Sequence, residues 1–142
     1  MAHLSWEDFL KLIDGVGIIH MATASSEGEP HVAVVSAAVD DGRVLVAIRS
    51  NSGKAANLRS NPRTSLVWQG NSAETYLWGD VELVTDPSEK SRVWNSRMFP
   101  YDMAMFFGSA DSPDWVIARV TPTRVVAMVQ GETGLTRQVW RA

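Results

Sequence analysis

Short apolar segments separated by turn-forming residues constrain the fold of this chain more than any other feature of its sequence. Between the second and third segments, Asp40-Asp41-Gly42 has the composition of a tight hairpin turn, because Asp tolerates and Gly favours a positive φ. The segments are apolar and often rich in β-branched residues, which is typical of strands. We therefore predict a mainly β fold, a β-barrel with small helical additions. The predicted strands are Ile18–Ala24, Val32–Val39, Val44–Ile48, Thr64–Trp68, Tyr76–Val84, Trp115–Val120 and Arg124–Val129.

Three segments with capping residues predict the helical additions, since Ser and Asp side chains accept hydrogen bonds from the first turn of a helix. The stretch Phe99–Pro113 has no clear period, and we expect it to be partly helical. The tail, residues 126–142, has no role that the sequence assigns. The predicted helices are an amphipathic N-terminal helix capped by Ser5, a helix capped by Ser52 that runs to Leu58, and one that starts at Asp86-Pro87 and runs to about Met98.

The chain has 142 residues, so we expect residues 1–142 to form a single domain. Its net charge is −3, and no run of like charges is longer than Asp40–Asp41, which argues against a nucleic-acid patch or a basic membrane surface. The absence of cysteine excludes thiolate catalysis, disulfides and iron–sulfur clusters. No apolar run is long enough to cross a bilayer. We expect a cytoplasmic protein whose partners are small molecules or other protein chains.

The segment around Ser52 and Lys54 carries the strongest chemical signal. Both residues fall in the opening turn of a predicted helix that follows a strand, where free N–H groups and the helix dipole attract an anion. Lys54 adds a full positive charge, and Ser50 adds a hydroxyl donor. Two interpretations remain open: a phosphate site, or a helix cap beside a solvated lysine.

Two glycine-containing nucleotide-binding motifs can be tested against this sequence, and neither is present. Gly53-Lys54 would end a P-loop only with glycine in place of Ile48 and Ser or Thr in place of Ala55. Gly15-Val16-Gly17 precedes a predicted strand and has His20 where the dinucleotide-binding fingerprint requires glycine. The chain therefore has neither a P-loop nor a Rossmann fingerprint.

Histidines and carboxylates show no spacing that is typical of a metal site or of paired acid–base catalysis. His20 lies between Ile19 and Met21, which favours a hydrogen-bonded histidine of the barrel over a metal ligand or an acid–base residue. We expect no metal site, and the sequence identifies no catalytic residue.

Six tryptophans are many for a chain of this length. One interpretation is burial in a core or an interface, because Trp contributes a large apolar area. The other is stacking on a planar ligand. A phosphate anchor together with aromatic surface is what a flavin-type cofactor requires, and such a cofactor supplies its own redox chemistry.

The order and spacing of several short motifs resemble the pyridoxamine 5′-phosphate oxidase-like superfamily of flavin-binding split barrels. In the first part of the chain these motifs are Ala22-Thr-Ala24, Glu27-Gly-Glu-Pro-His31, Asp41-Gly42 and Ser52-x-Lys54-x-x-Asn57-Leu58-x-x-Asn61-Pro62-Arg63. Later stretches are similar to the general stress protein branch of the superfamily, and they are Val93-Trp94-Asn95, Phe106-Phe-Gly108, Asp111-Ser-Pro-Asp-Trp115 and Val120-Thr-Pro122.

This resemblance implies a homodimer of six-stranded antiparallel split β-barrels with Greek-key topology and two FMN sites at the subunit interface. It implies that Lys54 and Ser52 hold the cofactor phosphate, with help from Arg49 and Ser50. It further implies that Val34-Val35-Ser36 runs along the flavin ring and that Trp68 or Gln69 approaches from the neighbouring strand.

The substrate does not follow from the resemblance. The true oxidases have an arginine and a lysine in the second strand, whereas Val32–Ala37 has neither, so we do not expect pyridoxamine phosphate oxidation. The leading hypothesis is an FMN-dependent oxidoreductase that acts on an unknown small molecule. One alternative is a reductase that uses the deazaflavin cofactor F-420, with Arg49, Arg59 and Arg63 in a basic groove. Others are a non-catalytic flavin- or haem-binding protein and a structural dimer with an empty site.

Overall fold

A mixed β-sheet of nine strands forms the frame of the protein in a computed structural model that describes residues 2–142. Four short helices interrupt the strands along this part of the chain. In chain order the elements are β1 (Ala2–His3), α1 (Trp6–Ile13), β2 (Ile19–Ala24), β3 (Pro30–Val35), β4 (Ala38–Asp40), β5 (Arg43–Arg49), α2 (Gly53–Ser60), β6 (Arg63–Gln69), β7 (Ala73–Val84), α3 (Pro87–Ser96), α4 (Met103–Phe107), β8 (Trp115–Gly131) and β9 (Gly134–Arg141).

Six neighbouring strand positions form the ring of a split barrel. Strand β8 pairs with β7 along one edge, and on its other edge the first half pairs with β5 and the second half with β9. The order then continues from β7 through β6 and β2 to β3, all antiparallel. Strand β4 pairs with β5, and only Ser36 and Ala37 separate it from β3. The ring β2, β3 with β4, β5, β8, β7 and β6 confirms the predicted fold class.

The predicted strand Val32–Val39 is wrong in one respect, because it is two strands that meet at this break. The first part hydrogen-bonds to β2 and the second part to β5. A single straight strand could not reach both partners, so the backbone turns at Ser36 and Ala37.

The C-terminal part of the chain also differs from the prediction. The two segments predicted on either side of Pro122 are one long strand, β8. Pro122 lies opposite Gly79, where the register of β7 shifts, and such an irregularity accommodates a residue that has no N–H to donate. The unassigned tail continues as β9, which pairs antiparallel with β8 and parallel with β1.

Two apolar clusters share the strands β5 and β8. Inside the ring, alternate residues such as Val46 and Ala118 belong to the main core, together with Phe9 of α1. On the opposite face, Leu45 and Ile117 pack under α3 and α4 in the second cluster. Both faces of these strands are therefore buried, which explains why their apolar runs are nearly continuous.

The close approach of β7 and β8 at Gly79 gives a test of the packing. A Cβ atom at Gly79 would lie 2.6 Å from Val120 Cγ1 and 2.7 Å from the Thr121 carbonyl oxygen, so one of them would have to move. We expect Gly79→Ala to lower the free energy of unfolding by about 2 kcal/mol through overpacking. Denaturant unfolding measures this change. Gly131→Ala, where the nearest atom would be 3.7 Å away, is the matched control and should change stability far less.

Candidate functional site

A cavity of about 500 Å³ opens beside the break between β3 and β4. One wall comes from the strands and from the first turn of α2, and the other wall comes from the segment that includes α4. At this break the chain changes its pairing partner from β2 to β5, and Val34, Val35 and Ser36 line the cavity there. Its lining residues are Gly17, Ile18, Val34, Val35, Ser36, Ala47, Ile48, Arg49, Lys54, Pro100, Tyr101, Phe106 and Phe107.

Two cations, Lys54 and Arg49, face the cavity from the strand wall. Partial burial lowers the pKa of Lys54, and the positive charge of Arg49 lowers it further. None of the ion pairs formed within residues 2–142 includes either side chain. An anion between these two cations would raise the pKa of Lys54 again, because an opposite charge favours the protonated form of the lysine.

The first turn of α2 adds hydrogen-bond donors to the same end of the cavity. Ser52 caps the helix as predicted: its Oγ accepts from the Ala55 N–H at 3.2 Å and donates to the Arg49 carbonyl oxygen at 2.8 Å. The N–H groups of Gly53 and Lys54 have no acceptor among the described residues. The free N–H groups and the positive end of the helix dipole therefore lie beside Lys54, where they would favour an anion.

The second wall of the cavity is aromatic. Tyr101 and Phe106 meet edge to face with centroids 5.2 Å apart, and Phe107 stacks on the fully buried Trp115 at 5.6 Å. The Arg49 guanidinium lies 5.7 Å from the centroid of Phe107. This arrangement joins one cation of the strand wall to the aromatic wall.

The sequence does not identify the aromatic wall as part of the site. Its pattern predicts that the stretch Phe99–Pro113 is partly helical, which α4 confirms, but indicates no function for it. The available signal was the density of aromatic residues around Phe106 and Phe107. It could not distinguish a cavity wall from core, and the segment serves as both, because Phe107 also belongs to the second apolar cluster.

The residues predicted to bind a cofactor fall into three groups. Five line the cavity: Val34, Val35, Ser36, Arg49 and Lys54. Ser50 and Ser52 lie beside it, and the hydroxyl of Ser50 donates to the Pro113 carbonyl oxygen at 2.7 Å. Trp68 and Gln69 do not line this cavity: Trp68 is 3% exposed and packs on Phe9, while Gln69 is exposed beside a separate cavity. The cofactor roles of all nine residues stay predictions.

His20 lies in a strand of the barrel as predicted, but its side chain makes no hydrogen bond to the residues that the structure describes, so the predicted hydrogen bond is not found. It lies on the exposed face of β2, where the side chains alternate between core and surface. Within residues 2–142, no group of three or more His, Asp or Glu side chains is arranged to hold a metal ion. Over the same range, no helix is both long enough and apolar enough to span a membrane.

The match to a known protein family covers most of the chain. The sequence model of the family described as pyridoxamine 5′-phosphate oxidase matches residues 6–128. The chain belongs to the pyridoxamine 5′-phosphate oxidase family. Both the cationic strand wall and the aromatic wall of this family member fall within the matched residues. None of the curated proteins matches the sequence at a significant level.

Solved structures share the fold of this pyridoxamine 5′-phosphate oxidase family member. General stress protein 26 from Bacillus anthracis is 17% identical with a TM-score of 0.74, over 96% of this chain and 97% of that protein. A pyridoxamine 5′-phosphate oxidase-related, FMN-binding protein from Nostoc punctiforme is 15% identical with a TM-score of 0.69, over 99% and 93%. An F420 reductase is 23% identical with a TM-score of 0.64, over 82% and 94%. At these identities, the likeness concerns the fold.

The titration of Tyr101 tests the burial of the aromatic wall. Burial raises the pKa of Tyr101 to about 12, because the apolar surroundings disfavour the phenolate. In Tyr76→Phe, Tyr101 is the one tyrosine left in the sequence, so we expect the absorbance of phenolate to rise with a midpoint at about pH 12. The raised pKa contributes stability below the ordinary value, about 10, and this contribution is lost as the pH rises through the folded value. A midpoint near 10 in the folded protein would contradict the burial.

Proposed function

We propose that the cavity binds FMN non-covalently and that the chain is an FMN-dependent oxidoreductase acting on a small molecule. The observation that carries this proposal is the pair of cations, Lys54 and Arg49, beside the free N–H groups of α2 and at one end of an otherwise largely apolar cavity. The family match supports it, and the solved relative from Nostoc punctiforme is named as an FMN-binding protein.

The residues of the cavity fit the two ends of FMN. Lys54, Arg49 and the start of α2 would hold the phosphate, since charged donors and backbone N–H groups suit phosphate oxygens. Val34, Val35 and Ile18 would contact the isoalloxazine ring, and the cavity volume lies in the usual range for ligand sites. Bound flavin supplies the redox chemistry, which explains why the chain needs no evident nucleophile or acid–base pair of its own.

The chain's own contribution is to bind the cofactor and shape the substrate's side of the cavity. Tyr101 lies in the wall opposite the strands, and its hydroxyl has no partner among the described side chains and backbone groups. The phenol is protonated at neutral pH already at its ordinary pKa of about 10, which burial raises further, so it can donate a hydrogen bond. Phe106, which is 48% exposed, offers an apolar face at the mouth of the cavity.

We further propose a homodimer with the two cofactor cavities at the subunit interface. Strand β3 is the last strand in the order of the sheet and pairs only with β2. Its Val32 and Val34 side chains are 65% and 66% exposed. Ile18 at the cavity is 68% exposed as well. A monomer would leave this apolar edge in water, whereas a second copy would cover it and complete the open side of the cavity.

A second candidate cofactor is the deazaflavin F-420, and the position of Arg59 favours it. Arg59 donates from Nη2 to the Ser50 carbonyl oxygen at 2.8 Å, which places a third cation near Arg49 and Lys54. A cofactor with a longer acidic tail could use all three charges, and a solved structure of the same fold is named an F420 reductase.

Titrations with FMN and riboflavin test the proposed cofactor. We expect FMN to bind, with a change in flavin fluorescence and a higher melting temperature, and riboflavin to bind at least about tenfold more weakly because it lacks the phosphate. Binding of F-420 in the absence of FMN binding would favour the second candidate. If neither flavin nor F-420 binds, the proposed function is wrong. Fast reoxidation or substrate-dependent bleaching of bound reduced flavin would distinguish an enzyme from a flavin- or haem-binding protein without turnover.

The same titrations with Lys54→Ala test the anion site. We expect this variant to lose about 1.5–3 kcal/mol of FMN binding free energy, as for a lost charge-assisted hydrogen bond, and to keep its affinity for riboflavin. Lys11→Ala removes an exposed lysine of α1 and serves as the control. Equal FMN affinities of the two variants would place the phosphate elsewhere.

The oligomeric state tests the exposed edge of β3. We expect the protein to elute and sediment as a dimer and Val32→Glu to be a monomer, because it buries an unpaired carboxylate in the proposed interface. Leu135→Glu is the matched control, since Leu135 is 69% exposed on β9, which does not pair with β2 or β3. A wild-type monomer, or a Val32→Glu dimer, would refute the interface.

A further inference from the structure

Lys90 is a buried lysine that the proposed site does not use directly. It lies on α3 and is 6% exposed. Its Nζ donates to the Ser112 carbonyl oxygen at 2.7 Å and lies 4.7 Å from the centroid of Trp115. Burial lowers the pKa of Lys90, and the charge of Asp111 only partly opposes this effect. Burying an ammonium group costs more free energy than burying an apolar side chain, so a lysine at this position points to a role for its charge.

The first route from Lys90 to the cavity runs through aromatic rings. Lys90 lies over Trp115, and Trp115 stacks on Phe107 at an interplanar angle of 24°. The guanidinium of Arg49 lies over Phe107. Each of the two stacked rings therefore has one cation over it, and each ring attracts its cation through its π face.

The second route runs through the loop between α4 and β8. Ser112 of this loop accepts the hydrogen bond from Lys90. The next two carbonyl oxygens of the loop accept hydrogen bonds from Ser50: Pro113 from its Oγ at 2.7 Å, and Asp114 from its N–H at 2.8 Å. Ser50 directly follows Arg49, so this loop fixes the backbone that carries one of the two cavity cations.

We propose that Lys90 is a positioning residue for the anion site, which it serves by holding Arg49 and Ser50 in place without touching the ligand. The two routes start from one ammonium group and end at adjacent residues of the same strand terminus. The proposal rests on the assignment of phosphate binding to Lys54 and Arg49. A purely structural lysine would lower stability when replaced but would affect the binding of both flavins equally.

The ratio of FMN to riboflavin affinity is the readout that a merely structural role would not change. Lys90→Met keeps a long unbranched side chain but removes its charge. In this variant we expect FMN to bind about tenfold more weakly and riboflavin to bind as in the wild type. Lys90→Arg can still donate to Ser112 and lie over Trp115, so it should restore most of the FMN affinity. Lys11→Met is the control and should change neither affinity.

A measurement without flavin separates this proposal from the proposed function. We expect the N–H of Ser50, which is bonded to Asp114, to exchange with solvent at least about tenfold faster in Lys90→Met than in the wild type or Lys11→Met. If wild-type protein binds no flavin, this exchange still tests the link from Lys90 to Ser50. Unchanged exchange, or an unchanged FMN-to-riboflavin ratio in a protein that binds FMN, overturns the proposal. Should Lys90→Met fail to fold, Lys90→Gln is measured in the same way with the same two outcomes.

Discussion

Closure of the six-stranded ring on a small core is the constraint on which the site depends. The chain closes the ring by dividing one strand between two partners, so that β3 pairs with β2 and β4 pairs with β5. At the break, Ser36 and Ala37 pair with neither strand, and the cavity opens there, between the end of β3 and the end of β5.

The positive charges of the cavity are concentrated at one of its ends. Lys54 and Arg49 stand on the same side of the cavity without a carboxylate partner among the described residues, and this arrangement is unfavourable until an anion is bound. Packing and hydrogen bonds hold it in place: Arg49 lies over Phe107, and the adjacent Ser50 is bonded to the loop before β8. The fold thus keeps two like charges close together at one end of the cavity, which is the arrangement that the proposed phosphate site would use.

Local chemistry allowed one half of the site to be predicted from the sequence. The cap at Ser52 and the position of Lys54 in the first turn follow from rules that act over three or four residues, and the structure has both. The aromatic wall could not be predicted in this way, because Tyr101 and Phe107 reach the cavity through long-range packing on Trp115 and its neighbours. Strand β9 was missed because most of its residues are exposed and show no apolar alternation. The burial of Trp68 depends on contact with α1, which the strand pattern does not encode.

If Lys54 and Arg49 bind the phosphate of FMN as proposed, the pKa of Lys54 must respond to the cofactor. The chain has three lysines, so NMR of labelled lysine side chains can be assigned with the variants at Lys11 and Lys90. We expect FMN to raise the pKa of Lys54 from its lowered value in the free protein, because the phosphate charge favours the ammonium form, and riboflavin to leave it unchanged. A pKa of Lys54 that is the same with saturating FMN as without it would show that the phosphate does not bind beside Lys54.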